Sequence, residues 1–464
     1  MAGASKVLFY LFLLVVNLAP LPLGSNREWS WTLCAVLVST LTLAWSLLSL
    51  VSPTKQTFKL NPVLITAFAL VCAWAVLQTS GAVPDNWKHP LWAMSADLIA
   101  ESTQLPGSIS LAPDDTFTAV MRLLTYGLVF FLAFQWGRDH RLAKRTLQWL
   151  VLAGLAYAIY GLATFWSGSG TLFWFEDPGY RQDLRSTFVN RNHYATYAGL
   201  VLLCAIALFY QHITVHSGPP SPMPPKRRIP PGARMSSRME RFEQFALEVW
   251  KPLIVILLIS TALILTHSRG GFISTLVAGA VLIYCFNYRR RIRSGRSLAA
   301  IGLAAGIAAI SFWLTSEVLL KRIDQTRLDD NLRFIAYEVI SESTRDNPIL
   351  GFGYGTFADS FRLYRTDVID AYLDRAHNTY LENAFELGWP AALLLFAVIA
   401  MLFVICIRGL RQRGRDWIYP ATGISATVLI GIHSYFDFSL QMPAVAMTYA
   451  CILGVACAQS YSSH

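Results

Sequence analysis

The chain has 464 residues, 54% of them hydrophobic and 14% charged, with a mean hydropathy of +0.44. That is too little charge to cover the surface of soluble domains of this total size, which excludes a soluble multidomain protein. The net charge of +10 would suit a nucleic-acid partner, but the placement of the basic residues gives it another meaning.

The first apolar block, Val7–Leu23, follows Lys6 and has the length of a signal peptide. Pro20, Pro22 and Leu23 stand where a small-x-small cleavage site would lie, so the block reads as an uncleaved first span. Further blocks predict spans near 31–51, 63–79, 117–136, 147–167, 193–213, 252–267, 270–288, 298–316, 389–407, 417–436 and 443–459. Many are long enough to cross about 30 Å of hydrocarbon. All seven cysteines (Cys34, Cys72, Cys204, Cys285, Cys406, Cys451 and Cys457) fall inside such blocks, without metal-ligand spacing, and read as small packing residues.

With the N-terminus inside, alternate loops collect the positive charge. Lys6, Lys55, Lys59, Arg138–Arg145, Lys226–Arg241, Lys251, Arg289–Arg296 and Arg408–Arg415 hold 23 of the 38 Lys and Arg, in short segments beside helix ends. This asymmetry sets orientation and places both termini in the cytoplasm, with Ser221 and Ser294 inside and Ser110 and Ser360 outside. The basic excess therefore needs no nucleic acid, and anionic lipid is its natural neighbour.

The fold class expected is all-α, a polytopic membrane helical bundle of about twelve transmembrane helices with a large periplasmic loop between helices 9 and 10. Its parts are an N-terminal bundle over 1–213 (spans one to six), a cytoplasmic linker over 214–251, spans seven to nine over 252–316, the periplasmic loop over 317–388, and spans ten to twelve over 389–464. The linker contains SGPPSPMPPKRRIPPG, too rich in proline for helix or packed sheet. Loops as long as 317–388 are usually functional.

Ionisable groups at membrane depth are costly and mark function by default. Arg191 and His193 open the sixth span in STFVNRNHYATYAG, and His267 and Arg269 lie in the THSRGG hairpin. His433, Tyr435 and Asp437 close the eleventh span, and His377 comes late in the long loop in RAHNTYLENAFELGWP. Four distant segments thus deliver His and Arg to the outer face. Any one histidine there could be a satisfied interfacial residue, and Arg269 could snorkel to the headgroups. In THSRGG, however, Gly270 and Gly271 let the backbone approach a ligand at a helix start, and a guanidinium beside a helix N-terminus suits an anion. The GFGYGTF run lacks the strand and spacing of a nucleotide loop and reads as a turn. Asp115 reads as a helix N-cap. Asp329–Asp330 has the form of a metal-binding pair but no third ligand.

Together these motifs resemble the O-antigen ligase and polysaccharide polymerase superfamily of bacterial inner membranes, over about Ser186–Pro443. His377, Asn378 and Gly388 fit its H-[NSQ]-x9-G pattern at the end of the large loop. Arg269 fits its S-R-G/A hairpin, NPILGFGYGTF the turn before its histidine, and Asp437–Pro443 its next-to-last helix boundary. One departure is Arg191, which stands where the family's T-F-x-N-x-N string usually carries proline.

The resemblance implies transfer of a glycan from undecaprenyl diphosphate to a sugar hydroxyl at the periplasmic face of the inner membrane, with inversion, and without metal, nucleotide or other cofactor. His377 is then the general base. Arg269, with Arg191 second, binds the diphosphate, while Asn378, His267, His193, His433 and Asp437 support them. The partners implied are the lipid-linked glycan donor, a glycan or lipid A–core acceptor, and membrane lipids. Ligase and polymerase are not separated, and a protein-glycosylating oligosaccharyltransferase of the same superfamily stays open. A transporter or lipid-linked glycan flippase is the rival from another class. It should show midplane charges and two matching halves, whereas here the ionisable groups gather at one face.

Overall fold

The computed structural model describes residues 2–51, 61–98, 107–173, 175–176, 182–216, 250–290, 333–365 and 373–461. The expected span 298–316, the linker over 217–249 with Ser221, the start of the large loop with Asp329–Asp330, and Ser294 lie outside the described residues.

The chain folds as a polytopic helical bundle. Among the described residues, seven helices are long and apolar enough to cross a membrane: α2 (Glu28–Val51), α5 (Pro113–Gly137), α6 (His140–Ser167), α7 (Arg191–His216), α9 (Arg269–Arg290), α13 (Trp389–Gln412) and α15 (Pro443–Tyr461). Four apolar helices are shorter: α1 (Ala2–Leu18), α3 (Pro62–Leu77), α8 (Trp250–Leu265) and α14 (Ile418–His433). Every expected span within the described residues overlaps one of these. Short helices α4 (Pro90–Leu98), α10 (333–343), α11 (Phe357–Ser360) and α12 (Thr379–Leu387) lie in the connections.

Three local expectations change. The first helix stops at Leu18 rather than Leu23, because Pro20 and Pro22 lack the N–H that would continue it; Leu23–Ser25 forms a 3-10 turn instead. Asp115 is not an N-cap: Ala112 holds that position, and Asp114 and Asp115 lie in the first turn of α5, where acid complements the helix dipole. The linker is shorter than 214–251, since 214–216 continue α7 and α8 starts at Trp250.

Helix α15 is the axis of the bundle, with 83% of its apolar window buried. Its sequence, PAVAMTYACILGVACAQSY, is rich in Ala, Gly and Cys. Small residues let helix backbones approach closely where lipid supplies no hydrophobic drive between helices. A Cβ on Gly454 would lie 2.5 Å from the Phe130 carbonyl oxygen of α5, and one on Gly137 would lie 2.9 Å from the Val455 Cα. Helices α5, α14, α7, α13, α6 and α1 all pack on it. The seven cysteines are free and buried, as packing residues are.

At one end of the bundle the connections build a cap around Gln78, which is fully buried. Its amide donates to the carbonyls of Leu350 (2.7 Å) and Glu386 (2.9 Å), and its oxygen accepts from the Tyr354 N–H (3.0 Å). The GFGYG run wraps this side chain as a turn, as expected. Gly351 and Gly353 have φ of 70° and 110°, and a Cβ on either would meet Glu386 or Ser110 within 2.5 Å. The turn thereby seats α12 against α3 and α5, and α12 carries the segment that ends at His377.

Orientation is checked by cysteine labelling, but Ser110 and Ser360 are both fully buried and make poor reporters. Asp85, 96% exposed, and Arg415, 75% exposed, lie on opposite expected faces. In a cysteine-free background, Asp85→Cys should react with a membrane-impermeant maleimide in intact cells, and Arg415→Cys only after permeabilisation. The reverse pattern inverts the topology.

Candidate functional site

The site begins with Asn378. Its side-chain oxygen caps α12, accepting from the N–H groups of Tyr380 (3.0 Å) and Leu381 (3.2 Å). His377, just before the cap, has φ of 52°. That is the left-handed region, which histidine tolerates better than most residues but which still costs about 1–3 kcal/mol. The turn is held there from several sides. Tyr337 donates to the His377 carbonyl (2.8 Å), the Thr379 N–H to the Ser434 carbonyl (2.8 Å), and the Thr379 hydroxyl to the Asp437 carbonyl (3.1 Å).

These bonds fasten the His377 turn to the α14–α15 connection, which carries Asp437. The Asp437 Oδ1 lies 3.4 Å from the His377 Nδ1, an ion-pair distance without aligned hydrogen-bond geometry. Asp437 is 1% exposed and His377 23%. Burial alone would raise the Asp437 carboxyl; the His377 contact and the fields of His193, His433 and His377 outweigh it and hold it well below the usual carboxylate range. Phe438 lies between two imidazoles, meeting the His193 ring edge-on at 4.7 Å and the His377 ring at 4.9 Å. His433, also buried, bonds through Nδ1 to the Thr196 hydroxyl at 2.8 Å.

The THSRGG hairpin abuts this cluster. The Ser268 hydroxyl accepts from the Gly271 N–H (3.2 Å) at the start of α9, and exposed Arg269 is the first residue of that helix. The two glycines serve packing rather than a ligand. A Cβ on Gly270 would lie 3.3 Å from the His433 ring, and one on Gly271 would lie 2.6 Å from the Ala195 Cβ of α7. His267 stands in the left-handed region too, with φ of 52°. Its Nδ1 meets the Asp183 Oδ1 at 2.9 Å, and the Asp183 Oδ2 takes the Arg191 guanidinium at 2.7 Å.

The sequence-derived residues therefore form two neighbouring groups. His377, His193 and His433 gather around Asp437, with Phe438 between the first two and Asn378 capping α12 beneath them. Arg191 and His267 share Asp183, and His267 lies two residues before Arg269 in the hairpin. Among the described residues no three His, Cys, Asp or Glu converge as a metal-binding group.

Sequence reasoning missed the carboxylates that hold this arrangement. Asp183 carries no motif. Glu382 looks like one more polar residue of α12, yet it is fully buried. It accepts from Arg375 (3.1 Å), the Ala376 N–H (2.9 Å) and Gln441 (2.7 Å), and so binds the residues just before His377 to the connection that holds Asp437. One turn later, Glu386 accepts from the Phe357 N–H (3.0 Å) and clamps the glycine turn. A carboxylate four residues from another on one helix was the available signal. Arg122, inside α5, was also passed over.

Residues 254–396 match the family model of O-antigen ligase. The match is narrower than the resemblance read from the sequence: His267, Arg269, His377 and Asn378 lie within it, whereas Arg191, His193, His433 and Asp437 lie outside. No curated protein matches the chain.

Burial pushes the Glu386 carboxyl well up from the ordinary glutamate range and the charge of Glu382 adds to the rise, while Arg375 and the N–H groups of Gly355 and Phe357 offset only part. The folded chain thus holds this proton more tightly than the unfolded chain. Its contribution to stability is complete below the ordinary value of about 4.3 and is lost as pH rises toward the raised one. Glu386→Gln keeps an acceptor for the Phe357 N–H and removes the ionisation. Thermal unfolding in detergent should therefore show the variant gaining on the wild type as pH rises from about 5 to 8. A constant difference across that range would refute a protonated Glu386.

Proposed function

We propose that this chain, whose residues 254–396 match the family model of O-antigen ligase, moves a glycan from undecaprenyl diphosphate to a sugar hydroxyl of a second glycan or of lipid A–core. The reaction takes place at the periplasmic face of the bacterial inner membrane. The observation that carries this reading is the pairing of His377 with buried Asp437, on the same end of the bundle as Arg269.

With Nδ1 turned toward Asp437, His377 has Nε2 left for substrate. On closing from the present 3.4 Å, a hydrogen on Nδ1 directed at the carboxylate would fix the tautomer whose Nε2 accepts a proton. The acceptor hydroxyl gives its proton to Nε2 as its oxygen bonds to the anomeric carbon, and the bond from that carbon to the diphosphate oxygen breaks with inversion. Asp437 stabilises the imidazolium that forms. Undecaprenyl diphosphate leaves with the electron pair, and a cation at headgroup depth stabilises the charge developing on it. Arg269 fills that role, exposed at the first position of α9 beside the N–H groups that a helix start leaves open. Arg191 is the second candidate, and its salt bridge to Asp183 reduces the charge it offers. The charge handling is supplied by Arg and His, so the transfer needs no metal or other cofactor.

Purified His377→Gln in nanodiscs should lose about 10²–10⁴ in transfer rate while still binding donor, since neither amide group accepts a proton at neutral pH. Asp437→Asn, which keeps shape but not charge, should also lose at least about 10²-fold. EDTA should leave the wild-type rate unchanged. Near-normal turnover by His377→Gln would assign His377 to loop structure and move the search to His193, His267 or His433. For the leaving group, Arg269→Lys keeps the charge but loses the bidentate fork and should impair transfer. Full activity of folded Arg269→Ala on a lipid-linked donor would remove the diphosphate assignment.

A further inference from the structure

Arg122 differs from every other charged residue of the apolar helices. It comes nine residues after the start of α5, about 13 Å along the axis. Among the described residues, no other Asp, Glu, Lys or Arg of the apolar helices lies more than two turns from a helix end. A charge at that depth is a functional signal unless a partner accounts for it. The Arg122 Nε is buried without a hydrogen-bond partner among the described residues, and no described carboxylate forms a salt bridge with it.

Its neighbours share the same deficit. The guanidinium lies 4.8 Å from the centre of the Trp31 ring, on α2. Trp31 is 6% exposed, and its indole N–H is buried with no acceptor among the described residues. Tyr126 stands one turn further along the same face of α5, and its hydroxyl is also buried without a partner. Buried donors left unpaired are rare, and each calls for an explanation. Here three side chains carrying one positive charge and an unpaired donor each converge at the junction of α2 and α5, and only the Tyr126 hydroxyl can also accept. The missing partner is an acceptor-rich anion, and phosphate has the right charge and oxygen count.

The location says which phosphate. Arg375, two residues before His377, is within electrostatic reach of both Arg122 and Tyr126, as Glu28 is of Arg122 without pairing with it, so this group lies toward the turn that presents the base. Arg269 approaches from elsewhere: α9 packs on α7 and α14, whereas α5 packs on α2, α3 and α15. Glycan transfer between two membrane-anchored substrates brings two anionic amphiphiles to one base. We propose that Trp31, Arg122 and Tyr126 form a second anion subsite, which holds a phosphate of the acceptor lipid while Arg269 holds the donor diphosphate. The proposal rests on the glycosyltransferase reading above. Arg122 and its two neighbours anchor the acceptor and take no part in the bond change.

The test is lipid binding to the full-length protein by native mass spectrometry from zwitterionic micelles. The probes are undecaprenyl diphosphate, diphosphoryl lipid A, phosphate-free lipid A and phosphatidylglycerol. Wild type should retain two phosphate-bearing lipids per chain, the second being either of the first two probes. Arg122→Gln should weaken that second lipid by about 10- to 100-fold, the loss of one charge-assisted hydrogen bond. Arg122→Lys should recover part of it. Trp31→Phe and Tyr126→Phe keep the rings and lose one donor each, so they give the same answer with milder disturbance should Arg122→Gln fold poorly. Arg269→Ala should instead lose the first equivalent of undecaprenyl diphosphate and keep the second lipid. The proposal is overturned if no second equivalent depends on these three residues. It is equally overturned if phosphatidylglycerol or phosphate-free lipid A binds with the same Arg122 dependence, which would make the group a bilayer contact. Loss of all undecaprenyl diphosphate in Arg122→Gln, with Arg269→Ala unaffected, would end the acceptor assignment and the Arg269 donor assignment together. Normal turnover by His377→Gln would remove the base without touching the lipid count.

Discussion

A carboxylate taken out of water must be met by cations or hydrogen-bond donors, or it gives up its charge. Three carboxylates at one end of this bundle meet that constraint, and the candidate site is arranged by the way they do so. Asp437 faces His377 and lies in the field of two further histidines. Glu382 takes a guanidinium, a main-chain N–H and an amide. Asp183 divides its two oxygens between Arg191 and His267. Each joins chain segments that are far apart in sequence, so the pairing of charge and the assembly of the site are one event. Glu386, with a like charge one turn away and mostly neutral donors, takes the other course and holds its proton more tightly than an ordinary glutamate.

The same constraint acts on the backbone. Irregular chain at membrane depth is tolerated only where every N–H and C=O finds a partner within the protein. Gln78 supplies three such bonds at once, and Trp74, one turn before it, donates to the Leu387 carbonyl at 2.9 Å. Helix α3 therefore does more than add an apolar helix to the bundle. Its last turn satisfies the segment around α12, and that segment sets the level at which His377 stands.

The bundle was legible because its signals are local. Apolar block length and basic loops need only a window of residues, and the GFGYG turn and the His377–Asn378 pattern are likewise contiguous. The holding residues were not legible, because their meaning is set by partners remote in sequence. Asp183 acts on a histidine 84 residues away, and Gln78 on a carbonyl 308 residues away. Gly270 and Gly271 show the opposite error, in which a local pattern suggested ligand approach and the packing of α7 and α14 claimed the space. Arg122 was lost inside a hydropathy average, which the 15 apolar residues of α5 dominate.

Burial across the His377–Asp437 pair changes steeply, from 23% exposed at the imidazole to 1% at the carboxylate. The buried end fixes orientation and the imidazole keeps a partly open edge, so the pair bridges two dielectric environments. The left-handed backbone at His377 helps produce that gradient. A residue with ordinary φ would carry the chain on into α12, whereas the reversal lets the imidazole face Asp437 while its carbonyl turns to Tyr337. The cost of that conformation is offset by the Asn378 cap and the bonds from Thr379, which form only once α12 has docked on the α14–α15 connection. His267 repeats the arrangement beside Arg269, with Asp183 in place of Asp437. Two strained histidines, each turned toward a buried acid, thus stand at two chain reversals on the same end of the bundle.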